Sequence, residues 1–83
     1  MSNSWYVYLL RCNDNSLYTG ITTDITRRLH QHNHCNKQGA KYTRVRRPVQ
    51  LVYNEVCADR SVASKREYQL KQLTKKQKEQ LIT

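Results

Sequence analysis

With 83 residues, the chain has enough length for one compact domain and too little for two, so any site must be built on a single small core, expected to span residues 1–83. Fifteen Lys and Arg against six Asp and Glu give a formal charge of +9, which on so small a surface favours polyanions, nucleic acid foremost. The longest apolar run, Trp5 to Leu10, falls far short of the roughly 20 residues that span a bilayer, and the N-terminus lacks a basic segment followed by a long apolar stretch, so a soluble, unexported, cytoplasmic protein is expected.

The run Trp5-Tyr6-Val7-Tyr8-Leu9-Leu10 is aromatic and β-branched, and the turn formers Asn13-Asp14-Asn15-Ser16 close it. Leu17 to Thr22 follows at hairpin distance, predicting an antiparallel pair, and Gly20 within it predicts a bulge or a close backbone approach. From Thr23-Asp24 the pattern turns helical: Ile25 and Leu29 stand four apart, Thr23 is an N-cap candidate, an acid sits in the first turn, and the helix should reach about His32. A polar stretch from Asn33 to Pro48 carries Gly39 and the cations Lys41, Arg44, Arg46 and Arg47, and reads as a functional loop. Val49 to Val56 alternates as a third strand. Asp59 or Ser61 then caps a helix whose inward positions would be Val62, Ala63, Arg66, Leu70 and Leu73. A last helix opens on Thr74-Lys75-Lys76-Gln77, a capping box, and closes with Leu81 and Ile82. The order ββαβαα suits an α+β fold with a small three-stranded antiparallel sheet flanked by helices.

Three cysteines at wide spacing, Cys12, Cys35 and Cys57, contain no CxxC pair and read as reduced apolar filler. The group His30, His32, His34 and Cys35 invites a zinc reading, but on a continuing helix His30 points away from His32 and His34, and no second ligand pair lies at finger spacing.

Tyr8 and Tyr18 belong to two strands of one hairpin, where a short turn can bring both phenols to one face; strand tyrosines are also common packing residues. Arg28 and His32, spaced i, i+4, project from one helix face, either aimed at a phosphate above the hairpin or simply solvated. Glu67 shares the inward edge of its helix with Ala63 and Leu70. A hard divalent cation would explain a carboxylate in a basic cleft, and an i, i+4 ion pair with Lys71 is the plain alternative.

Taken in order, Val7-Tyr8, Tyr18-Thr19-Gly20, Arg28 and Glu67 resemble the motif set of the GIY-YIG nuclease superfamily. The segments from Tyr6 to Cys12, from Tyr18 to Asp24, Arg27-Arg28-Leu29, Gly39 to Thr43, and on through Arg47-Pro48 are similar to its small stand-alone bacterial members, and the likeness covers nearly the whole chain. The resemblance implies a three-stranded antiparallel sheet with flanking helices and a metal-dependent endonuclease that hydrolyses DNA phosphodiesters, of a repair or recombination type. It implies catalytic roles for Tyr8, Tyr18, Arg28, His32 and Glu67, with Glu67 holding Mg²⁺ or Mn²⁺. Tyr8 would act as base where its phenolate is favoured, and His32 would donate to a phosphate or relay a proton. Lys41, Tyr42, Thr43, Arg44, Arg46 and Arg47 are the candidate nucleic-acid contacts, with Tyr42 stacking on a base. The first-motif glycine is Tyr6 here, the second-motif isoleucine is Thr19, and the asparagine that several members place after the glutamate helix has no counterpart between Leu70 and Thr83. Specificity would come from substrate shape or from a protein partner. A non-catalytic basic nucleic-acid-binding module is the competing reading, and a membrane-docking face ranks last, because the final helix lacks a broad apolar side.

Overall fold

The computed structural model describes residues 4–82; the ends of the expected 1–83 span, residues 1–3 and 83, lie outside the described residues. The elements run β1 (Trp5–Arg11), β2 (Leu17–Thr22), α1 (Ile25–His34), α2 (Lys41–Arg44), β3 (Gln50–Cys57), α3 (Arg60–Gln72) and α4 (Lys75–Ile82). The three strands form one antiparallel sheet in the order β2-β1-β3, so the expected α+β class and the expected hairpin are both present. Among the described residues no helix is long and apolar enough to cross a membrane.

Local chemistry explains most of these elements. The β1–β2 turn takes Asn15 into the left-handed region at φ 69, which asparagine tolerates, and the Asp14 carboxylate accepts from the Ser16 amide at 3.0 Å. The N-cap of α1 is Asp24, not Thr23: its carboxylate accepts from the Arg27 amide at 3.0 Å, so the acid is the cap itself and the first turn holds none. Asp59 caps α3 in the same way through the Val62 amide at 2.9 Å. The capping box of α4 is reciprocal, with the Thr74 amide donating to Gln77 Oε1 at 2.9 Å and the Gln77 amide donating to Thr74 Oγ1 at 3.2 Å.

Side chains alternating along β1 serve two cores. Tyr8, Leu10, Cys12 and Val49 pack with Tyr18, Leu29 and Leu51 on the α1 side. Val7, Cys57, Ala63 and Leu70 pack with Trp5, Ile21, Leu73 and Leu81 on the α3–α4 side, where burying a side chain the size of Leu70 contributes about 1.5–3 kcal/mol. Two ion pairs tie helices to the sheet: Arg66 Nη2 donates to Glu55 Oε2 at 2.9 Å, and Arg11 Nη1 donates to Glu79 Oε2 at 2.7 Å.

Several expectations are corrected. The polar stretch before Pro48 contains the short helix α2, and α1 continues two residues past His32 to His34. Strand three is Gln50–Cys57, one residue later than expected. The β1–β2 register is unbroken through Gly20; the irregularity falls between Leu9 and Leu10 against β3, where pairing passes from Tyr53 to Leu51 and skips Val52. Val62, expected inward, is 45% exposed, because the sheet-facing stripe of α3 runs through Ala63 and Leu70.

Thr19, at the position of the second-motif isoleucine, is buried with its hydroxyl unpaired. Thr19→Val removes that orphan at nearly constant volume and is expected to stabilise the fold by ~1 kcal/mol. A urea titration reads this as a higher midpoint at unchanged slope. A lower midpoint would mean that the hydroxyl is bonded in solution.

Candidate active site

The strand register places the two phenols. Tyr8 lies opposite Gly20, and Tyr18 lies opposite Leu10, so the tyrosines are diagonal neighbours on one face with ring centroids 6.5 Å apart. Gly20 is what lets the Tyr8 ring lie across β2: a Cβ at that position would stand 2.6 Å from Tyr8 Cζ. The requirement is a close approach with no bulge. Tyr8 is 2% exposed, and burial pushes its phenol up to about 12, with the Arg28 guanidinium opposing and Tyr18 and Glu67 adding to the rise. The condition set for Tyr8 as a base, a favoured phenolate, is therefore not met by the surrounding protein groups alone.

His32 reaches this phenol from α1. The Tyr8 hydroxyl and His32 Nε2 are 2.9 Å apart, and His32 Nδ1 is 2.7 Å from Thr43 Oγ1 on α2. The imidazole is wholly buried, and that burial, followed by the charges of Arg28 and Arg47, lowers its pKa to about 4. It is neutral at pH 7. Both ring nitrogens are engaged by protein hydroxyls, those of Tyr8 and Thr43.

Tyr18 packs edge-on against His32 at 5.2 Å and stacks on Tyr42 at 5.9 Å. The other face of Tyr42 carries the Arg46 guanidinium, 3.9 Å from the ring centroid, and Arg46 Nε donates to Asp14 at 3.0 Å. Tyr42 thus sits between Tyr18 and Arg46 while remaining 39% exposed.

Arg28 Nη1 donates to Gln31 Oε1 at 3.0 Å and to the Gln38 carbonyl, which ties the guanidinium to the segment between α1 and α2. Glu67 sits on α3 with its side chain 24% exposed and pairs with Lys71 at 3.5 Å, the i, i+4 pair foreseen as the plain alternative. Its charge nevertheless acts on Tyr8. Tyr8 is therefore the group on which Tyr18, Arg28 and Glu67 all act and to which His32 is bonded.

The basic stretch divides. Lys41 and Arg44 are exposed, and neither side chain has a hydrogen bond or ion pair among the described residues. Arg47 closes the end of α1 instead: Nε donates to the His32 carbonyl at 2.7 Å, Nη2 to the Cys35 carbonyl at 3.0 Å and Nη1 to Asn36 Oδ1 at 3.0 Å. Arg46 holds the hairpin turn, and Thr43 is fully buried on His32, so these three do not present free groups at the surface. The bond from Thr43 to His32 had no sequence signal, because α2 is a single turn without periodicity. Asn33 was missed similarly; its side-chain amide donates to the Val49 carbonyl at 3.0 Å and accepts from the Val49 amide at 2.8 Å.

Among the described residues no group of three or more His, Cys, Asp and Glu converges. Contrary to the expectation that His30 points away from His34, the two rings, spaced i, i+4, pack against each other at 4.6 Å, while His32 is turned inward. One part-buried carboxylate, Glu67, fits a hard divalent cation that keeps its waters and draws further oxygens from a substrate phosphate. It does not fit a closed zinc cage, which needs four ligands. Cys12 and Cys57 fill the two cores as expected, whereas Cys35 lies half-buried at the end of α1.

Comparison with known proteins bears on the family and the fold. The family model described as the GIY-YIG catalytic domain matches residues 4–80. A UPF0213 protein of Desulfotalea psychrophila is 58% identical over 95% of this chain and 71% of its own length. A UPF0213 protein of Staphylococcus saprophyticus is 51% identical over 94% of this chain and 93% of its own. Two solution NMR structures share the fold. An E. faecalis protein has a TM-score of 0.65 at 49% identity, and a UPF0213 protein of Bacillus halodurans has 0.59 at 44%; each match covers 95% of this chain and 82% of the other.

Proposed function

The chain belongs to the GIY-YIG catalytic-domain family, a family of nucleases, and we propose that it is a metal-dependent endonuclease that hydrolyses phosphodiester bonds in nucleic acid, DNA in preference to RNA. The observation that carries this reading is the 2.9 Å contact between the Tyr8 hydroxyl and a buried, neutral His32, beside Arg28 and within reach of the Glu67 charge.

Hydrolysis needs a proton removed from water, charge compensation on the non-bridging oxygens and stabilisation of the leaving oxygen. Tyr8 takes the water proton as it passes its own to His32 Nε2, so no free phenolate accumulates. The water oxygen forms the new P–O bond, the scissile P–O bond breaks, the leaving alkoxide is protonated from solvent, and His32 then returns its proton through Tyr8 to solvent. Arg28 exchanges its Gln38 carbonyl for phosphoryl oxygens, and Tyr18 positions water or phosphate. Glu67 would hold Mg²⁺ or Mn²⁺ on releasing Lys71, and the ion would supply charge neutralisation at the leaving oxygen. Lys41 and Arg44, both exposed, contact backbone phosphates, which carry no base identity, so the substrate is selected by its shape; the setting is repair or recombination in the cytoplasm.

The test uses labelled single-stranded, duplex and branched DNA with Mg²⁺, Mn²⁺ or EDTA. The wild type should nick in either ion and not in EDTA, and Glu67→Ala should lose at least about 100-fold in rate with binding retained, as removal of a metal's contribution of several kcal/mol implies. Undiminished cleavage by the variant would remove Glu67 from the chemistry. Salt-sensitive binding without cleavage by the wild type would favour the non-catalytic module.

A further inference from the structure

His32 can accept a proton from Tyr8 only if Nε2 carries the lone pair. A neutral imidazole has two tautomers, and burial alone does not choose between them. The choice is made on the far side of the ring, by a residue that the site as described so far leaves without a task.

Thr43 Oγ1 lies 3.0 Å from the Ala40 carbonyl and 2.7 Å from His32 Nδ1. A carbonyl only accepts, so the single threonine hydrogen goes to Ala40. Oγ1 then has only lone pairs to offer the imidazole, and Nδ1 must carry the ring proton. Nε2 is left bare and becomes the acceptor for the Tyr8 hydroxyl at 2.9 Å. From the Ala40 carbonyl we infer that Thr43 is a positioning residue that sets the tautomer of His32, giving a relay of fixed polarity from Tyr8 inward. Its catalytic consequence rests on the nuclease reading above; the tautomer itself does not.

Geometry around the ring leaves little competition for this assignment. Thr43 and His32 are both fully buried, so water does not offer Nδ1 a substitute partner. The other charged or titratable groups that bear on His32 are Arg28 from its own helix and Arg47 beyond α2, neither of which accepts, together with Tyr8 on β1 and the Tyr18 ring edge on β2. During reaction His32 gains the proton on Nε2 and keeps its Nδ1 proton on Thr43, so the imidazolium is bonded on both sides and no further rearrangement is needed.

The experiment is ¹⁵N NMR of the imidazole at neutral pH, run beside cleavage assays. Wild-type His32 should show a protonated Nδ1 and a bare Nε2. A wild-type Nε2–H signal overturns the inference whatever any variant does. Thr43→Val keeps the shape and removes the acceptor; it should populate the Nε2–H tautomer and cut the cleavage rate about 100-fold at unchanged DNA affinity. Thr43→Ser should restore both the tautomer and the rate, which a purely packing role for the threonine methyl would not allow. A folded Thr43→Val protein that keeps the wild-type tautomer overturns the inference. Absence of cleavage by the wild type would instead remove the nuclease reading and leave the NMR result to decide the role of Thr43.

Discussion

Tyr8→Phe protein is expected to bind labelled DNA with wild-type affinity and to cleave it about 1,000-fold more slowly, within the range that general acid–base groups contribute. The substitution removes one oxygen from a ring that is otherwise retained in the core on the α1 side. It also strands the Nε2 lone pair of His32, so a stability loss of about 1–3 kcal/mol should accompany the loss of rate. Thermal denaturation separates the two effects, since a protein destabilised by that amount remains folded at assay temperature. Cleavage at even a tenth of the wild-type rate by the folded variant would exclude the Tyr8 hydroxyl from proton transfer. Tyr18→Phe is the internal comparison: its ring still fills the slot between His32 and Tyr42, so any change in rate reports the hydroxyl.

The second large effect is on pH. His32 has a folded pKa of about 4, depressed from the usual value near 6.5, so between these pH values the unfolded chain binds a proton that the native chain refuses. The His32 contribution to stability is therefore full above about 6.5, declines as pH falls, and stops changing below about 4. The difference of roughly 2.5 units corresponds to ~3 kcal/mol. Carboxylates behave differently: Glu55 is held low by its bond to Arg66, and its contribution is lost as pH falls from the ordinary carboxylate value toward its depressed one. Urea midpoints between pH 7 and 4 should thus fall for the wild type and stay nearly level down to about pH 5 for His32→Gln. A level wild-type profile would show that the imidazole protonates in the folded state. The same values shape catalysis. With neutral His32 as acceptor and Tyr8 pushed up to about 12, kcat/KM should be flat from about pH 5 to 9 and fall only toward pH 4. A tenfold rise per pH unit across that plateau would instead mean that a free phenolate is the base.

Covalently local features were readable in advance. The β1–β2 hairpin follows from alternating side chains around a run of turn formers, the α3 cap from Asp59, and the α4 start from Thr74 and Gln77, because each depends on hydrogen bonds spanning a few residues. The placing of Tyr8 and Tyr18 on one face was legible for the same reason, whereas the register that sets Tyr8 opposite Gly20 came from the structure. Arg46, Arg47 and Tyr42 have intramolecular partners that the sequence did not reveal, and for one cause. Basic and aromatic residues in a polar stretch look alike whether they face solvent or the protein, and here they close α1, brace the hairpin turn and wedge against Tyr18.

Residue type and spacing along this chain were sufficient to establish an α+β order, a basic character and a shortlist that included Tyr8, Tyr18, Arg28, His32 and Glu67. Packing of α1 and α2 against the sheet settled which of them act on one another: it buried His32 between Tyr8 and Thr43, raised one pKa and lowered the other, and left Lys41 and Arg44 facing solvent. The division has a physical origin. Secondary-structure preference is a property of neighbours in the chain, whereas desolvation and proton position depend on groups brought together from 11 to 24 residues apart.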